Sequence, residues 1–152
     1  LEKSDLNVLL SQAMGEYGER FERCGLDMIV RMPKEPVYVM ADGRHLFRVF
    51  DNLMNNIIKY AMPGTRVYLT LENKGGQAVI IFRNISKYAL DLELDELTER
   101  FVRGDLSRNS EGSGLGLSIA KSLTELQGRQ FRIDTDADLF KVTLSFPIIS
   151  CE

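Results

Sequence analysis

The stretch at residues 51–60, Asp-Asn-Leu-Met-Asn-Asn-Ile-Ile-Lys-Tyr, decides how the rest of this sequence is interpreted. It belongs to a longer segment, residues 43–61, in which apolar residues recur at steps of three and four, the period of an α-helix. Pro63 and Gly64 end this helix. Its predicted buried stripe consists of Leu46, Val49, Phe50, Leu53 and Ile57.

A polar stripe runs beside the buried one and is predicted to comprise His45, Arg48, Asn52, Asn56 and Lys59. Asparagine is a poor helix former, so two asparagines on one line need a reason. The side-chain oxygen of Asn56 is a hard ligand that can complete an octahedral Mg²⁺ beside waters and phosphate oxygens. Lys59 can meet a phosphate as a point charge, and Tyr60 can flank a base. An ordinary solvated helix face is the alternative.

A second motif, residues 111–117, Glu-Gly-Ser-Gly-Leu-Gly-Leu, opens another predicted helix at residues 115–126. Glycines permit close approach of the backbone, and the amides and dipole of a helix start favour an anion such as phosphate. A flexible hinge without a ligand is the alternative. The sequence contains no GxxxxGK[ST], so this is not a P-loop. Residues 108–111 are polar and form no strand, which disfavours a dinucleotide fingerprint.

The order of predicted elements indicates the fold class. We expect a helix over residues 5–23, capped by Ser4 or Asp5, and a short helix over residues 95–102. Strands are predicted at residues 27–32, 37–40, 66–72, 77–83, 131–135 and 139–146. This order predicts an α+β fold: a two-layer α/β sandwich with helices on one face of a mixed sheet.

Composition limits the classes of function. With 152 residues and 44% apolar residues the chain fits one compact domain, and its net charge of -3 predicts no nucleic-acid partner. Cys24, Cys151 and the single His45 make no zinc set, and the thiols are expected to be inert in a reduced compartment. We expect no signal peptide, and the sequence contains no apolar run of the roughly 20 residues that span a bilayer. Because it starts on Leu1, we expect a piece of a longer protein.

Three segments in order resemble the boxes of the GHKL ATPases and kinases, most closely the catalytic, ATP-binding domain of bacterial sensor histidine kinases. Residues 52–60 resemble the asparagine box of that family. Residues 97–105, Leu-Thr-Glu-Arg-Phe-Val-Arg-Gly-Asp, resemble its phenylalanine box, and residues 112–117 resemble its second glycine box. The resemblance covers roughly residues 26–147.

The resemblance implies a Bergerat-type sandwich that binds ATP and Mg²⁺. Asn56 would be the Mg²⁺ ligand with Asn52 beside it, Lys59 would approach the phosphates, and Tyr60 the adenine side. Arg103 and Arg108 would reach the γ-phosphate from a lid, although Arg108 fits a solvated loop charge equally well. The lid that would fold over the phosphates carries Gly112, Ser113, Gly114, Leu115, Gly116 and Leu117.

One box departs from the family's pattern. The family has Asp-x-Gly-x-Gly after the central strand, and that Asp accepts a hydrogen bond from the adenine amino group. Here residues 82–88 read Phe-Arg-Asn-Ile-Ser-Lys-Tyr, so Asn84 takes the Asp position and both glycines are absent. An amide keeps an acceptor, but a charge-assisted bond becomes a neutral one, roughly half as strong. The alternative is a degenerate site that no longer binds ATP.

The phosphate acceptor is expected elsewhere. Sensor kinases phosphorylate a histidine on a separate dimerisation domain, and His45 lacks the usual acidic neighbour, so no catalytic residue is predicted in this chain. Residues 1–24 would form a helix following that absent domain, and residues 25–152 the catalytic domain. The implied partners are the dimerisation domain of the same kinase and, downstream, a response regulator. The domain would be cytoplasmic without direct membrane contact, in a parent anchored in the bacterial inner membrane.

Two other functions remain open at this point. One is a GHKL-fold interaction module with a degenerate nucleotide site. The other is a protein-serine kinase of the anti-sigma-factor type. The leading hypothesis is the sensor-kinase domain, whose chemistry is phosphoryl transfer by positioning and charge neutralisation.

Overall fold

The computed structural model describes residues 1–88 and 115–149. Every predicted helix and strand in those ranges is present, with ends within two residues of the predicted ones. The predicted short helix at residues 95–102 lies outside the described residues. The elements are β1 (Glu2–Asp5), α1 (Leu6–Arg23), β2 (Asp27–Arg31), β3 (Tyr38–Ala41), α2 (Gly43–Tyr60), β4 (Arg66–Lys74), β5 (Gln77–Ile85), α3 (Leu115–Leu126), β6 (Gln130–Asp136) and β7 (Leu139–Pro147).

Five strands form one mixed sheet in the order β2-β4-β5-β7-β6. β2 runs parallel to β4, and the other neighbours are antiparallel. β1 and β3 form a separate antiparallel ribbon, which a bridge between Val39 and Ile148 joins to the end of β7. The predicted α+β class with a mixed sheet is therefore confirmed.

The hairpin between β4 and β5 turns at Gly75 and Gly76, both of which have positive φ (58° and 81°). A two-residue turn of this hand matches the twist of the flanking strands, and glycine adopts it without steric cost. The turn keeps β4 and β5 in register over seven residue pairs, from Lys74–Gln77 to Tyr68–Arg83.

Helix α2 is stabilised by a capping side chain at its start and by a buried apolar stripe along its length. The Asp42 carboxylate caps it by accepting hydrogen bonds from the amides of Arg44 (3.1 Å) and His45 (3.2 Å). The whole predicted stripe is buried. Ala61 is extended, which ends the helix two residues before Pro63. α2 packs against both α1 and α3 and so occupies the middle of the helical layer.

The face of the sheet under the helices is marked by the Phe82 ring of β5, whose centre lies 6.0 Å from that of Phe50 in α2. Across the sheet, Phe82 is paired with Leu69 of β4 and Val142 of β7, and both are buried. Because side chains alternate along a strand, Asn84 lies on the same face of β5 as Phe82, two residues further on. It places an amide at the end of an otherwise apolar layer.

We expect Phe50→Ala to destabilise the domain by about 3–5 kcal/mol, since it removes a ring from between α2 and the sheet and leaves a cavity. Urea unfolding followed by circular dichroism measures this change. Val8→Ala is the control, because Val8 lies on α1 with 49% of its surface exposed, and should change stability by about 0.5 kcal/mol or less. Equal losses in the two variants would contradict the assigned core.

Candidate functional site

The polar stripe predicted on α2 separates into buried and exposed parts. Arg48 is exposed, whereas Lys59 and Asn52 are half-buried. Asn56 is only 6% exposed, so its side chain is turned away from bulk solvent. The stripe is therefore not an ordinary solvated helix face.

Asn52 carries a polar atom that the described chain leaves unpaired. Its Nδ2 is buried and has no hydrogen-bond partner within residues 1–88 and 115–149. No side-chain hydrogen bond of Asn56 to another residue of these ranges is present either. A buried amide nitrogen without a partner is costly, so Asn52, with Asn56 one turn after it, suits a polar ligand.

The end of α2 is tied to the end of β5. Residues Ala61 and Ser86 form a β-bridge, the Met62 amide donates to the Ile85 carbonyl (2.7 Å), and the Lys87 amide donates to the Tyr60 carbonyl (2.9 Å). These bonds hold the loop after β5 against the last turn of α2. The structure thus brings Asn84 to the same layer as Asn56 and Tyr60.

Residues 86–88, which follow β5, are held by hydrogen bonds without the glycines of the family pattern. The Ser86 hydroxyl accepts a hydrogen bond from the Tyr88 amide (3.0 Å), and the Ser86 amide donates to the Asp138 carbonyl (2.7 Å). The Tyr88 ring packs edge-on to Tyr60 at 6.2 Å. Ser86 is 4% exposed. The sequence analysis did not predict the role of Ser86 and Tyr88. Their only signal in the sequence was their position just after the predicted strand 77–83.

A polar cluster on the neighbouring face of α2 fixes that helix to α1; we call it the α1–α2 clamp, made of Tyr17, Arg20, Asp51 and Asn55. The buried Tyr17 hydroxyl donates to the Asp51 carboxylate and accepts from Asn55 Nδ2 (2.9 Å). Arg20 donates to Asn55 Oδ1 (3.1 Å) and lies over the Tyr17 ring. The sequence alone did not reveal this cluster.

The clamp changes the acidity of Tyr17. Burial, the hydrogen bond to Asp51 and its negative charge together raise the pKa of Tyr17 to about 12. The neighbouring Arg20 acts in the opposite direction. The phenol is therefore neutral, and a donor to Asp51, across the physiological range.

Helix α3 follows the glycine-rich motif and packs against α2. The backbone of Leu115, Gly116 and Leu117 forms its first turn, and the Leu117 side chain is fully buried in the core. Leu117 thus positions the helix and does not face a ligand with its side chain. The predicted site residues Arg103, Arg108, Gly112, Ser113 and Gly114 lie outside the described residues.

Charged groups at the start of α2 serve the helix cap. Hydrogen bonding from the His45 amide lowers the pKa of Asp42 from its ordinary value, and the His45 ring lies 3.5 Å from the same carboxylate. In the ranges that the structure covers, no three His, Cys, Asp or Glu side chains gather as a metal site, and no helix is long and apolar enough to cross a membrane.

Residues 41–149 match the family described as histidine kinase-, DNA gyrase B-, and HSP90-like ATPase. The chain belongs to this ATPase family. It is an ATP-binding catalytic domain of the sensor histidine kinase type. The match begins at the last residue of β3 and runs through α2, the sheet and α3.

Relatives and solved structures agree with this family assignment. The chain is 31% identical over 147 residues to the signal transduction histidine-protein kinase BaeS of Escherichia coli K12, covering 95% of this chain and 31% of BaeS. It is 33% identical over 138 residues to the sensor protein SphS of Synechococcus elongatus, covering 85% of this chain and 33% of SphS. The chain thus spans about a third of the length of these relatives.

Solved catalytic domains have the same fold. The catalytic domain of histidine kinase ThkA superposes with a TM-score of 0.79 at 21% identity, covering 97% of this chain and 96% of that one. The mycobacterial sensor histidine kinase MprB gives a TM-score of 0.75 at 23% identity, covering 97% of each chain. The histidine kinase ATPase fold of this domain is established by these likenesses.

The α1–α2 clamp predicts a pH dependence of this ATPase domain. Because the folded state raises the pKa of Tyr17 from 10.0 to about 12, its contribution to stability is complete below pH 10 and is lost as the pH rises through about 12. Urea unfolding of wild type and Tyr17→Phe at several pH values in this window measures the effect. The stability advantage of wild type over the variant should shrink with rising pH.

Asp51→Asn is the companion variant for this prediction. It removes the charge and the carboxylate acceptor but leaves Tyr17 buried, so the folded-state pKa falls, and the pH-dependent loss should be smaller and complete at a lower pH than in wild type. An advantage of wild type over Tyr17→Phe that stays constant from pH 9 to about 12 would contradict the assigned pKa.

Proposed function

We propose that this domain binds Mg-ATP in the layer between α2 and the end of β5 and donates the γ-phosphate to a histidine on a separate dimerisation domain. The observation that carries the proposal is a group of amides, Asn52, Asn56 and Asn84, set into an apolar layer. Asn56 and Asn84 are 6% and 3% exposed. Membership of the ATPase family supports ATP as the ligand.

In this proposal Asn56 Oδ1 is the protein's ligand to Mg²⁺, and Asn52 lies one turn before it on the same face of α2. A neutral amide suits an ion that arrives with a triphosphate, because a cluster of carboxylates would repel the phosphate oxygens. When bound, Mg²⁺ neutralises charge on the β- and γ-phosphate oxygens. The site residues thus bind and orient, and the nucleophile comes from another domain.

The remaining residues of the proposed site surround this pair. Lys59, one turn after Asn56, approaches the phosphates, while Tyr60 and Asn84 lie on the base side. Arg103 and Arg108 reach the γ-phosphate from the lid. The glycine-rich residues Gly112, Ser113 and Gly114 close over the phosphates, and the backbone of Leu115, Gly116 and Leu117, at the start of α3, faces them.

The whole protein is proposed to be a two-component sensor kinase. Its partners are the dimerisation domain that carries the acceptor histidine and a downstream response regulator. We infer that residues 1–24 follow that dimerisation domain in the chain and that the domain works in the cytoplasm of a membrane-anchored parent. The likeness to BaeS and SphS supports this assignment.

Asn56→Ala should weaken ATP binding in the presence of Mg²⁺ by about tenfold or more, equivalent to about 1.4 kcal/mol, because the metal loses its protein ligand. Calorimetric titration with Mg²⁺ and then with EDTA measures this, and the difference between the two conditions should nearly vanish in the variant. Asn73→Ala is the matched control, since Asn73 is exposed on the β4–β5 hairpin, away from α2. Unchanged Mg²⁺-dependent affinity in Asn56→Ala would show that the metal role is wrong.

The domain alone should bind ATP but hydrolyse it slowly, because it lacks the acceptor. Adding the segment of the parent kinase that carries the acceptor histidine should yield a phosphoprotein whose label is lost in acid and kept in alkali, as a phosphoramidate is. The test uses ATP radiolabelled in the γ-phosphate and measures how much label the phosphoprotein keeps after treatment with acid and with alkali. An acid-stable, alkali-labile label would instead identify a serine kinase.

A further inference from the structure

The end of β5 carries a buried polar group in an apolar row. Ala78, Ile80 and Phe82 are buried on the face under the helices, and Asn84 follows them with 3% of its surface exposed. The Asn84 side chain makes no hydrogen bond to any residue of 1–88 or 115–149. An amide that is 3% exposed, at the end of an apolar row and without a side-chain partner in those ranges, is suited to a ligand that can pair with it.

Asn84 lies under the second half of α2. Two residues before Asn84 on β5, the Phe82 ring contacts Phe50 of α2. Two residues after Asn84, Ser86 forms a β-bridge with Ala61, at the end of α2. The stretch of α2 between these two contacts carries both Asn52 and Asn56. A nucleotide whose phosphates lie at those asparagines can therefore direct its base toward Asn84.

Nearby residues hold the end of β5 in place. The Ser86 hydroxyl and the Asp138 carbonyl fix the loop, and the paired rings of Tyr60 and Tyr88 lie beside it. Tyr60 is buried, whereas the Tyr88 ring is half-buried and can offer a face to any purine, because every base has a π-face. The polar contact at Asn84 is then what remains to tell one purine from another.

An amide reads the 6-position of a purine differently from a carboxylate. A carboxylate only accepts hydrogen bonds, so it pairs with the 6-amino group of adenine and repels the 6-oxo group of guanine. An asparagine has an accepting oxygen and a donating NH₂, and a half-turn about its last torsion exchanges them. It can accept from adenine or donate to guanine.

We propose that Asn84 makes this site accept 6-oxopurine triphosphates, such as GTP and ITP, as well as ATP. The proposal rests on the nucleotide site proposed above and specifies its substrate class. Asn84 is then a specificity-determining residue whose neutrality broadens the choice of phosphate donor.

Calorimetric titration of the wild-type chain with Mg-ATP, Mg-GTP, Mg-ITP and Mg-UTP tests the proposal directly. We expect dissociation constants for the three purine nucleotides within about tenfold of one another, the effect of about one neutral hydrogen bond, and weaker binding of UTP. ATP binding with GTP and ITP about a hundredfold weaker would overturn this inference and leave the proposed function intact. UTP binding as tight as ATP would also overturn it, since no purine group would then be read. Absence of all binding would overturn the proposed nucleotide site itself.

Asn84→Asp supplies the second test. The carboxylate should tighten ATP relative to GTP, so that the ratio of their dissociation constants rises by about tenfold or more over wild type. Asn73→Asp is the matched control, because it adds the same charge on the exposed β4–β5 hairpin and should leave the ratio unchanged. Asn84→Leu, which keeps the volume but pairs with neither purine, should weaken ATP and GTP equally. An unchanged ratio in folded Asn84→Asp, or a loss in Asn84→Leu confined to ATP, would contradict the proposal.

Discussion

The packing of α2 across β5 is the constraint on which the rest of this structure depends. At one point the contact is apolar, between the rings of Phe50 and Phe82. At the other it is a backbone bridge between Ala61 and Ser86. α1 and α3 both pack on α2, so the helical layer is located by these two contacts. The candidate site lies between them, which gives it an apolar floor and a fixed distance from helix to sheet.

Much of this fold was predictable because its signals are local. Periods of 3.6 and two residues identified the helices and strands, and the motif Lys74-Gly75-Gly76 identified the hairpin. β1 was missed because Glu2, Lys3, Ser4 and Asp5 are all polar and become a strand only by pairing with β3. The parallel pairing of β2 with β4 joins segments separated by a whole helix, and periodicity carries no information about such a partner.

The candidate site was predictable in position but not in its surroundings. The helix period placed Asn52 and Asn56 on one line, and counting from the end of the strand found Asn84. The helical periodicity could not show that Asn56 is buried, because a polar residue beside the apolar stripe is predicted to be solvated. The burial depends on the tertiary packing of α2 in the helical layer. The Ser86 hydroxyl organises a loop that lacks glycine. Its position depends equally on a tertiary contact, the hydrogen bond from the Ser86 amide to the Asp138 carbonyl.

The α1–α2 clamp has a consequence for the energetics of ligand binding. Asp51 and Asn55 immediately precede Asn52 and Asn56 of the proposed site, and both are held by Tyr17. α2 cannot turn about its own axis without breaking these bonds and the stacking of Arg20 on the ring. The side chains of Asn52 and Asn56 are therefore oriented before a ligand binds. The entropic cost of fixing α2 in this orientation is met when the chain folds, and not when the ligand binds.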